Sequence, residues 1–219
     1  IITHPSFKNA AIRLADFRNS NDQLSVKVVT TEQVYNEFSG GSQDVSAFRD
    51  YMKYLYDNGN IKYLLLFGKC SFDFKNVLAN GNFNAAPNFV PTYQSRNSFH
   101  PIFSYSSDDY FGFLDENEGE WTESSSGDHL MDIGVGRLPA TTPEEAETMV
   151  QKIIDYDSQK SVFGNWRKRI HFVADDEDFN THQKDADILA EILNQNFSDL
   201  DLNKIYLDAY PQQTTTFGE

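Results

Sequence analysis

The sequence predicts an α/β protein, a parallel sheet with helices on both faces. Three observations carry that expectation. Apolar or β-branched runs alternate with segments of helical period along most of the 219 residues. The run Tyr63-Leu64-Leu65-Leu66-Phe67-Gly68 is continuously apolar, as in a strand covered on both faces. Finally, the strand-like stretch Met131 to Arg137 is followed by a strong helix start, Thr142-Pro143-Glu144-Glu145: a capping residue, proline at the first position and acids in the first turn.

Taken in order, Ile1-Ile2-Thr3 reads as the end of a buried strand, closed by His4-Pro5-Ser6. Between Lys8 and Arg18 the apolar residues Ala10, Ala11, Leu14, Ala15 and Phe17 recur at helical spacing. Leu24 to Val29 alternates and is rich in β-branched residues, so a second strand is expected there. Thr31 suits the cap of a short helical turn through Val34 and Tyr35. Val45, Phe48, Met52 and Leu55 give a second helix, which Asn58-Gly59-Asn60 ends with a glycine suited to the left-handed position. After the apolar run at 63–68 comes a long insertion, residues 70–130, rich in Asn, Ser, Phe and Tyr and without helical period. Short hairpin strands are expected at Phe89-Val90 and Tyr110 to Leu114, with a tip at Asp115 to Gly119. The helix from Thr142 carries Ala146, Met149, Val150, Ile153, Ile154 and Tyr156 on its apolar face. Ser158 to Trp166 connects it to a strand at Ile170 to Ala174. A helix from Asp185 to Leu193 and a strand at Lys204 to Leu207 complete the pattern.

Composition narrows the function classes. The chain is 39% hydrophobic and 14% aromatic, so it folds around a core. A net charge of −15 repels phosphate backbones and argues against nucleic acid as a partner. No run of 18 apolar residues exists, so no transmembrane segment is expected. One cysteine rules out an intrachain disulfide and a multi-cysteine zinc site, but leaves room for a thiol nucleophile. The chain opens inside an apolar stretch and lacks an initiator methionine, so we expect a piece of a longer protein.

Sites in open α/β sheets form outside the carboxyl ends of strands. Cys70 lies there, just after the 63–68 run. A cysteine nucleophile needs a base and a lowered pKa, and no helix start is expected here to help, so a half-buried thiol acting as a small hydrophobe is favoured. The five histidines (His4, His100, His129, His171 and His182) show no metal-ligand spacing. Gly134-Val135-Gly136-Arg137 sits within a strand rather than before a helix, so it is no phosphate loop, and Arg137 should pair with a nearby acid. Asp108 and Asp109 could contribute to a calcium site, against the plainer reading of a solvated turn. Asp175-Asp176-Glu177-Asp178 follows a strand end directly; a solvated acidic turn, a helix cap, a cation site or an acid that orients a catalytic histidine all stay open.

Several segments in order then resemble one family. They are Tyr63 to Gly68, Val90-Pro91-Thr92-Tyr93, Ser107-Asp108-Asp109-Tyr110-Phe111-Gly112, Asp132-Ile133-Gly134-Val135-Gly136-Arg137-Leu138-Pro139, and the helix from Thr142-Pro143-Glu144-Glu145 to Lys152-Ile153-Ile154-Asp155-Tyr156. Together they are similar to the gingipain-like cysteine peptidases of family C25, in particular the sortase branch that serves type IX secretion in Bacteroidetes. That resemblance implies a caspase-like α/β peptidase domain in two subdomains. Residues 1–160 would form the first, and 161–219 would begin the catalytic one. It implies protein or peptide substrates, secretion-system components as partners, and an exported location, periplasmic or at the cell surface. It requires no cofactor, although family members hold structural Ca²⁺, which bears on Asp108 and Asp109. The family's Gly-His-Gly and catalytic Cys motifs do not occur here, and Cys70 lies in the wrong subdomain. The nucleophile and its histidine are therefore expected beyond residue 219, and this segment alone is expected to be inactive. Asp176 best matches the acid that orients the catalytic histidine, and His182 falls where an acid reads a basic side chain of the substrate in Arg-specific members. The alternative is a non-catalytic protein-binding module of a secretion or cell-surface protein, built on the same scaffold.

Overall fold

The computed structural model describes residues 1–75, 77, 87–96, 104–116, 118–119, 130–158 and 163–211. Among them the strands are β1 (Ile2–Thr3), β2 (Val29–Thr30), β3 (Tyr63–Phe67), β4 (Tyr93–Gln94), β5 (Ser106–Ser107), β6 (Gly134–Leu138), β7 (Arg169–Ala174) and β8 (Asp201–Tyr206). The α-helices are α1 (Lys8–Asn21), α2 (Thr31–Phe38), α3 (Val45–Asn58), α4 (Pro143–Ser158) and α5 (Glu177–Asn196). The chain divides into two compact units, Ile1–Ser158 and Gln159–Glu219.

The first unit is the expected α/β arrangement. Its parallel sheet has the order β2-β1-β3-β6, and both faces are covered. The alternation of β3 decides which side chain goes where. Leu64 and Leu66 join Ile2, Val34, Phe48, Met52 and Phe111 on the face of α2 and α3. Leu65 and Phe67 join Phe7, Ala10, Leu14, Ala146 and Val150 on the face of α1 and α4. With Leu66, Phe67, Phe48 and Phe111 all 0% exposed, truncating either phenylalanine of the α3 side would cost about 3–5 kcal/mol.

Several boundaries differ from the sequence expectations, each for a physical reason. The strand expected at Leu24 to Val29 shrinks to Val29–Thr30, because strand β1 beside it pairs only at Val29 and Thr30. The single turn expected at Thr31 is a full helix, α2. Its cap is Thr30, whose side chain accepts from the Gln33 N–H while the Gln33 side chain accepts from the Thr30 N–H. Asp44 caps α3 by accepting from the Ser46 N–H at 2.8 Å. Gly59 ends α3 in extended backbone, φ −149°, not in the left-handed position. The Met131 strand begins only at Gly134, since the Asp132 carboxylate turns back to accept from the Leu114 N–H at 2.7 Å and from Tyr56 Oη–H at 3.1 Å.

In the insertion, Phe89-Val90 and Tyr110 to Leu114 do not form strands. The two-stranded antiparallel element is β4–β5, paired Tyr93 to Ser107 and Gln94 to Ser106, and Asp109–Phe111 is a 3₁₀ turn. Phe111 and Leu114 are buried despite that irregularity. Asn117 of the expected tip lies outside the described residues, as do His100, His129 and residues 159–162 of the connector.

In the second unit β7 and β8 pair in parallel, Arg169 to Asp201 through Ala174 to Tyr206. Helix α5 packs on β7 and β8. It is longer than the segment 185–193 expected from the sequence. Lys204 on β8 reaches Asp187 at 2.6 Å and Glu191 at 3.2 Å on α5.

Candidate functional site

The carboxyl end of β3 is built around one arginine. Arg137 on β6 lies beside Leu66 in the ladder, so its side chain leaves the sheet where β3 ends. Its Nε donates to Asp108 Oδ2 at 2.7 Å and its Nη2 to Asp108 Oδ1 at 2.7 Å. Nη1 donates to the carbonyls of Gly68 and Val90, both at 2.7 Å, and Nη2 also to that of Pro91 at 3.1 Å. All five guanidinium N–H groups are therefore used. The acid that the sequence left unspecified is Asp108, which also accepts from Thr92 Oγ1 at 2.8 Å.

The backbone there is equally constrained. Gly68 has φ +147°, and a Cβ on it would stand 2.8 Å from Val90 Cγ2 and 3.0 Å from Phe89 Cβ. Only glycine meets both demands. Lys69 N–H donates to Ala140 O at 3.0 Å and Phe89 N–H donates to Lys69 O at 2.9 Å, so the insertion is sewn to the strand end.

Cys70 follows this junction as a free, half-buried thiol. Among the described residues no histidine hydrogen-bonds it. His4 is turned to other work: its Nδ1 accepts from the Ser6 N–H at 3.2 Å, and its ring packs edge-on against Phe89. Burial lowers its pKa, which suits that acceptor role.

For calcium, the donor set at Asp108 is decisive. Both carboxylate oxygens already face a guanidinium, and a cation needing six to eight oxygens does not suit that pair. Asp109 opens the 3₁₀ turn, its N–H on Ser107 Oγ at 3.1 Å. Among the described residues no group of three or more His, Cys, Asp or Glu side chains comes together as a metal site.

The second constellation lies at the carboxyl end of β7. Ala174 ends the strand, and Asp175 and Asp176 follow. His182 Nδ1 lies 2.7 Å from Asp175 Oδ1, and its Nε2 lies 3.8 Å from Asp178 Oδ2. The hydrogen bond to Asp175 is the main reason that the His182 pKa is raised, with the charge of Asp175 adding to it. Asp176 stands at the N-cap of α5 without a side-chain bond to the helix N–H groups. The acid paired with His182 is thus Asp175; Asp176, which the resemblance matches to the acid orienting a catalytic histidine beyond residue 219, stands next to it.

The turn that makes this pairing was not legible in the sequence. Asp178, Phe179 and Asn180 all have φ between +50° and +58°, a left-handed stretch without glycine. Phe179 there costs about 1–2 kcal/mol, while Asp and Asn tolerate the left-handed region better. Local bonds hold the turn: Thr181 Oγ1–H to Asp178 O at 2.6 Å, Lys184 Nζ to Phe179 O at 3.0 Å, and Asn180 Nδ2 to Asp208 Oδ2 at 3.1 Å. Phe179 is left 95% exposed beside His182. Backbone strain of this kind gathers at functional sites. His171, by contrast, faces Asn203 across the strand pair, 3.0 Å from its Nδ2.

Comparisons with known proteins agree on one family. The model of peptidase family C25 matches residues 1–219. Among solved structures, the chain is similar to the dimeric latent PorU from Porphyromonas gingivalis, with 34% identity and a TM-score of 0.62. The match covers 76% of this chain and 16% of that one, so the chain spans about a sixth of the relative's length. No curated protein matches.

Proposed function

The chain belongs to peptidase family C25, the gingipain-like cysteine peptidases, and from that membership we propose that it forms the first part of a catalytic domain acting on proteins. Residues 1–160 make the supporting subdomain and 161–219 begin the catalytic one. The nucleophilic cysteine and its histidine come from chain beyond residue 219. The thiolate attacks a peptide carbonyl, the histidine carries the proton to the leaving amine, and an acid holds the imidazole. In a hydrolase water releases the acyl group from the thioester; in a sortase-type transpeptidase an amine does. Similarity to PorU favours the second outcome, and with it an exported protein of type IX secretion.

The observation that carries this reading is the pair of carboxylates at the β7 end. Asp175 is committed to His182 at 2.7 Å, and Asp176 follows directly at the same strand end, where sites in open α/β sheets form and where the family resemblance sets the acid that orients the catalytic imidazole. Asp176 takes that role, and His182, beside the exposed Phe179, lines the approach of the substrate. Cys70 is structural. In the whole parent protein Asp176→Asn should lower kcat by tenfold or more with KM little changed, and Cys70→Ser should leave both unchanged. Full activity of the Asp176→Asn protein, or thiol-dependent turnover lost with Cys70, overturns the assignment.

One observation favours a second reading, a non-catalytic protein-binding module. Phe72, Phe74 and Val77 of the insertion are exposed, Phe72 by 72%, and exposed apolar groups close in sequence suit protein contact. A parent protein that binds its protein partner with no Cys–His pair in its sequence would select this reading.

A further inference from the structure

Helix α3 ends on an asparagine–glycine pair, Asn58-Gly59. Asparagine is a chemically labile residue, and its weakness is intramolecular. The backbone nitrogen of the next residue can attack the side-chain carbonyl carbon, because the two are held in one chain and close a five-membered ring. A fold blocks that step by burying the asparagine, by engaging the next N–H in a hydrogen bond, or by setting a Cβ beside the attacking nitrogen. At Asn58 it does none of these. Asn58 is exposed, and glycine follows it.

The way α3 ends explains why the Gly59 N–H is free. At the ends of α1, α2 and α5 the next N–H donates to the carbonyl four residues back: Asp22 to Arg18, Ser39 to Tyr35 and Phe197 to Leu193. Gly59 is extended instead, φ −149° and ψ −158°, and its N–H donates to no group among the described residues. Leu55 O, which that N–H would reach in a regular helix end, stands 2.9 Å from where a Cβ on Gly59 would be. A close backbone contact thus calls for glycine here, and the glycine leaves the nitrogen next to Asn58 unshielded. The one bond of the Asn58 side chain runs from its Nδ2 to Tyr54 O at 2.9 Å, across the last turn of the helix.

We propose that Asn58 is a deamidation site of the folded protein. The Gly59 nitrogen gives its proton to hydroxide and bonds to Cγ of Asn58. The Cγ–Nδ2 bond breaks, and the departing nitrogen takes a proton from water and leaves as ammonia. Water then opens the cyclic imide at either carbonyl, giving aspartate or isoaspartate at position 58. Either product sets a carboxylate at the negative end of α3, next to Asp57, in place of the donor to Tyr54 O. Isoaspartate also adds one atom to the backbone, in the link that leads from α3 into β3.

Incubation in mildly alkaline buffer, which deprotonates the attacking nitrogen, tests this. Peptide mapping by mass spectrometry should show a gain of one dalton at Asn58 in the folded protein. Its rate should lie within about tenfold of that in urea, because the last turn of a helix opens at little cost. Asn19 in α1 is the internal reference: its Oδ1 accepts from the Val26 N–H at 2.9 Å, and it should stay intact in the folded protein. The aged protein should take up methyl groups from an isoaspartyl methyltransferase and melt about 2–5 °C lower. Asn58→Gln, whose longer side chain closes its ring far more slowly, should keep its melting temperature through the same incubation, and Asn58→Asp should show the loss from the start. Protection of Asn58 stronger than about tenfold overturns the proposal. An equal fall in melting temperature for aged Asn58→Gln overturns its consequence for stability and moves the damage elsewhere, such as the pair Asn80-Gly81 outside the described residues.

Discussion

Replacing Arg137 tests the architecture of the β3 end most directly. In Arg137→Met the aliphatic stem is kept and five hydrogen bonds are lost: two to Asp108 and one each to Gly68, Val90 and Pro91. The side chains of the ion pair are 11% and 24% exposed, so this is no surface pair that water can replace at little cost. Removing one partner of such a pair costs about 3–5 kcal/mol, chiefly because the other charge stays behind. Some water reaches Asp108, so the lower part of that range, about 3 kcal/mol, is expected. For a unit of this size that lowers the melting temperature by roughly 6–12 °C. Thermal and urea unfolding of both proteins measure it, with the m-value showing whether the native state has loosened. Arg137→Lys should lose nearly as much, since an ammonium cannot serve a bidentate carboxylate and three carbonyls at once. The double variant Arg137→Met/Asp108→Asn should recover about 1–2 kcal/mol relative to additivity, because the stranded charge is gone. A loss below about 1 kcal/mol in Arg137→Met, or strict additivity in the double variant, would refute the reasoning.

Three further outcomes are expected. The raised pKa of His182 means that its bond with Asp175 adds stability below the ordinary histidine value near 6.5. That contribution fades as pH rises through the raised folded value; NMR titration should show the His182 midpoint falling in Asp175→Asn and hardly moving in Asp176→Asn. Gly68→Ala should cost about 2 kcal/mol or more, given its φ of +147° and the 2.8 Å approach to Val90, as read from equilibrium unfolding. Phe179→Gly should instead stabilise the second unit by about 0.5–1 kcal/mol, because relief of a left-handed residue outweighs the entropy added to the unfolded chain; a destabilised variant would show that the exposed ring has a partner.

Much of the sheet was legible because its signals are local. The apolar run Tyr63 to Phe67 could only be a strand covered on both faces, and Thr142-Pro143-Glu144-Glu145 could only start a helix. Leu24 to Val28 carries an equally clear strand pattern, yet forms no strand, since a strand exists only where a neighbour supplies the ladder. The pairing of Arg137 with an acid was foreseeable from charge, but the choice of Asp108, 29 residues away, depended on how the insertion folds back. At the β7 end the sequence shows an acid run and a histidine. It does not show which acid meets His182, because three left-handed residues without glycine set that geometry, and Phe179 in their middle gives no sign of it.

The anchoring of the insertion has a kinetic side. Arg137 reaches back 69 residues to Gly68 and 47 to Val90, and Arg49 on α3 holds Phe113 O across 64. The Arg137 bonds need β6 beside the end of β3, and the Arg49 bond needs the insertion folded back onto α3, so loop closure falls due before any of them offers a return. The long sequence separation of these bonds predicts that the irregular segment between the two strands settles late in the folding of the first unit. Until it does, its phenylalanines and tyrosines stand open to proteases and to other unfinished chains. A single guanidinium that gathers five acceptors at the end of that search also sets how abruptly the exposure ends.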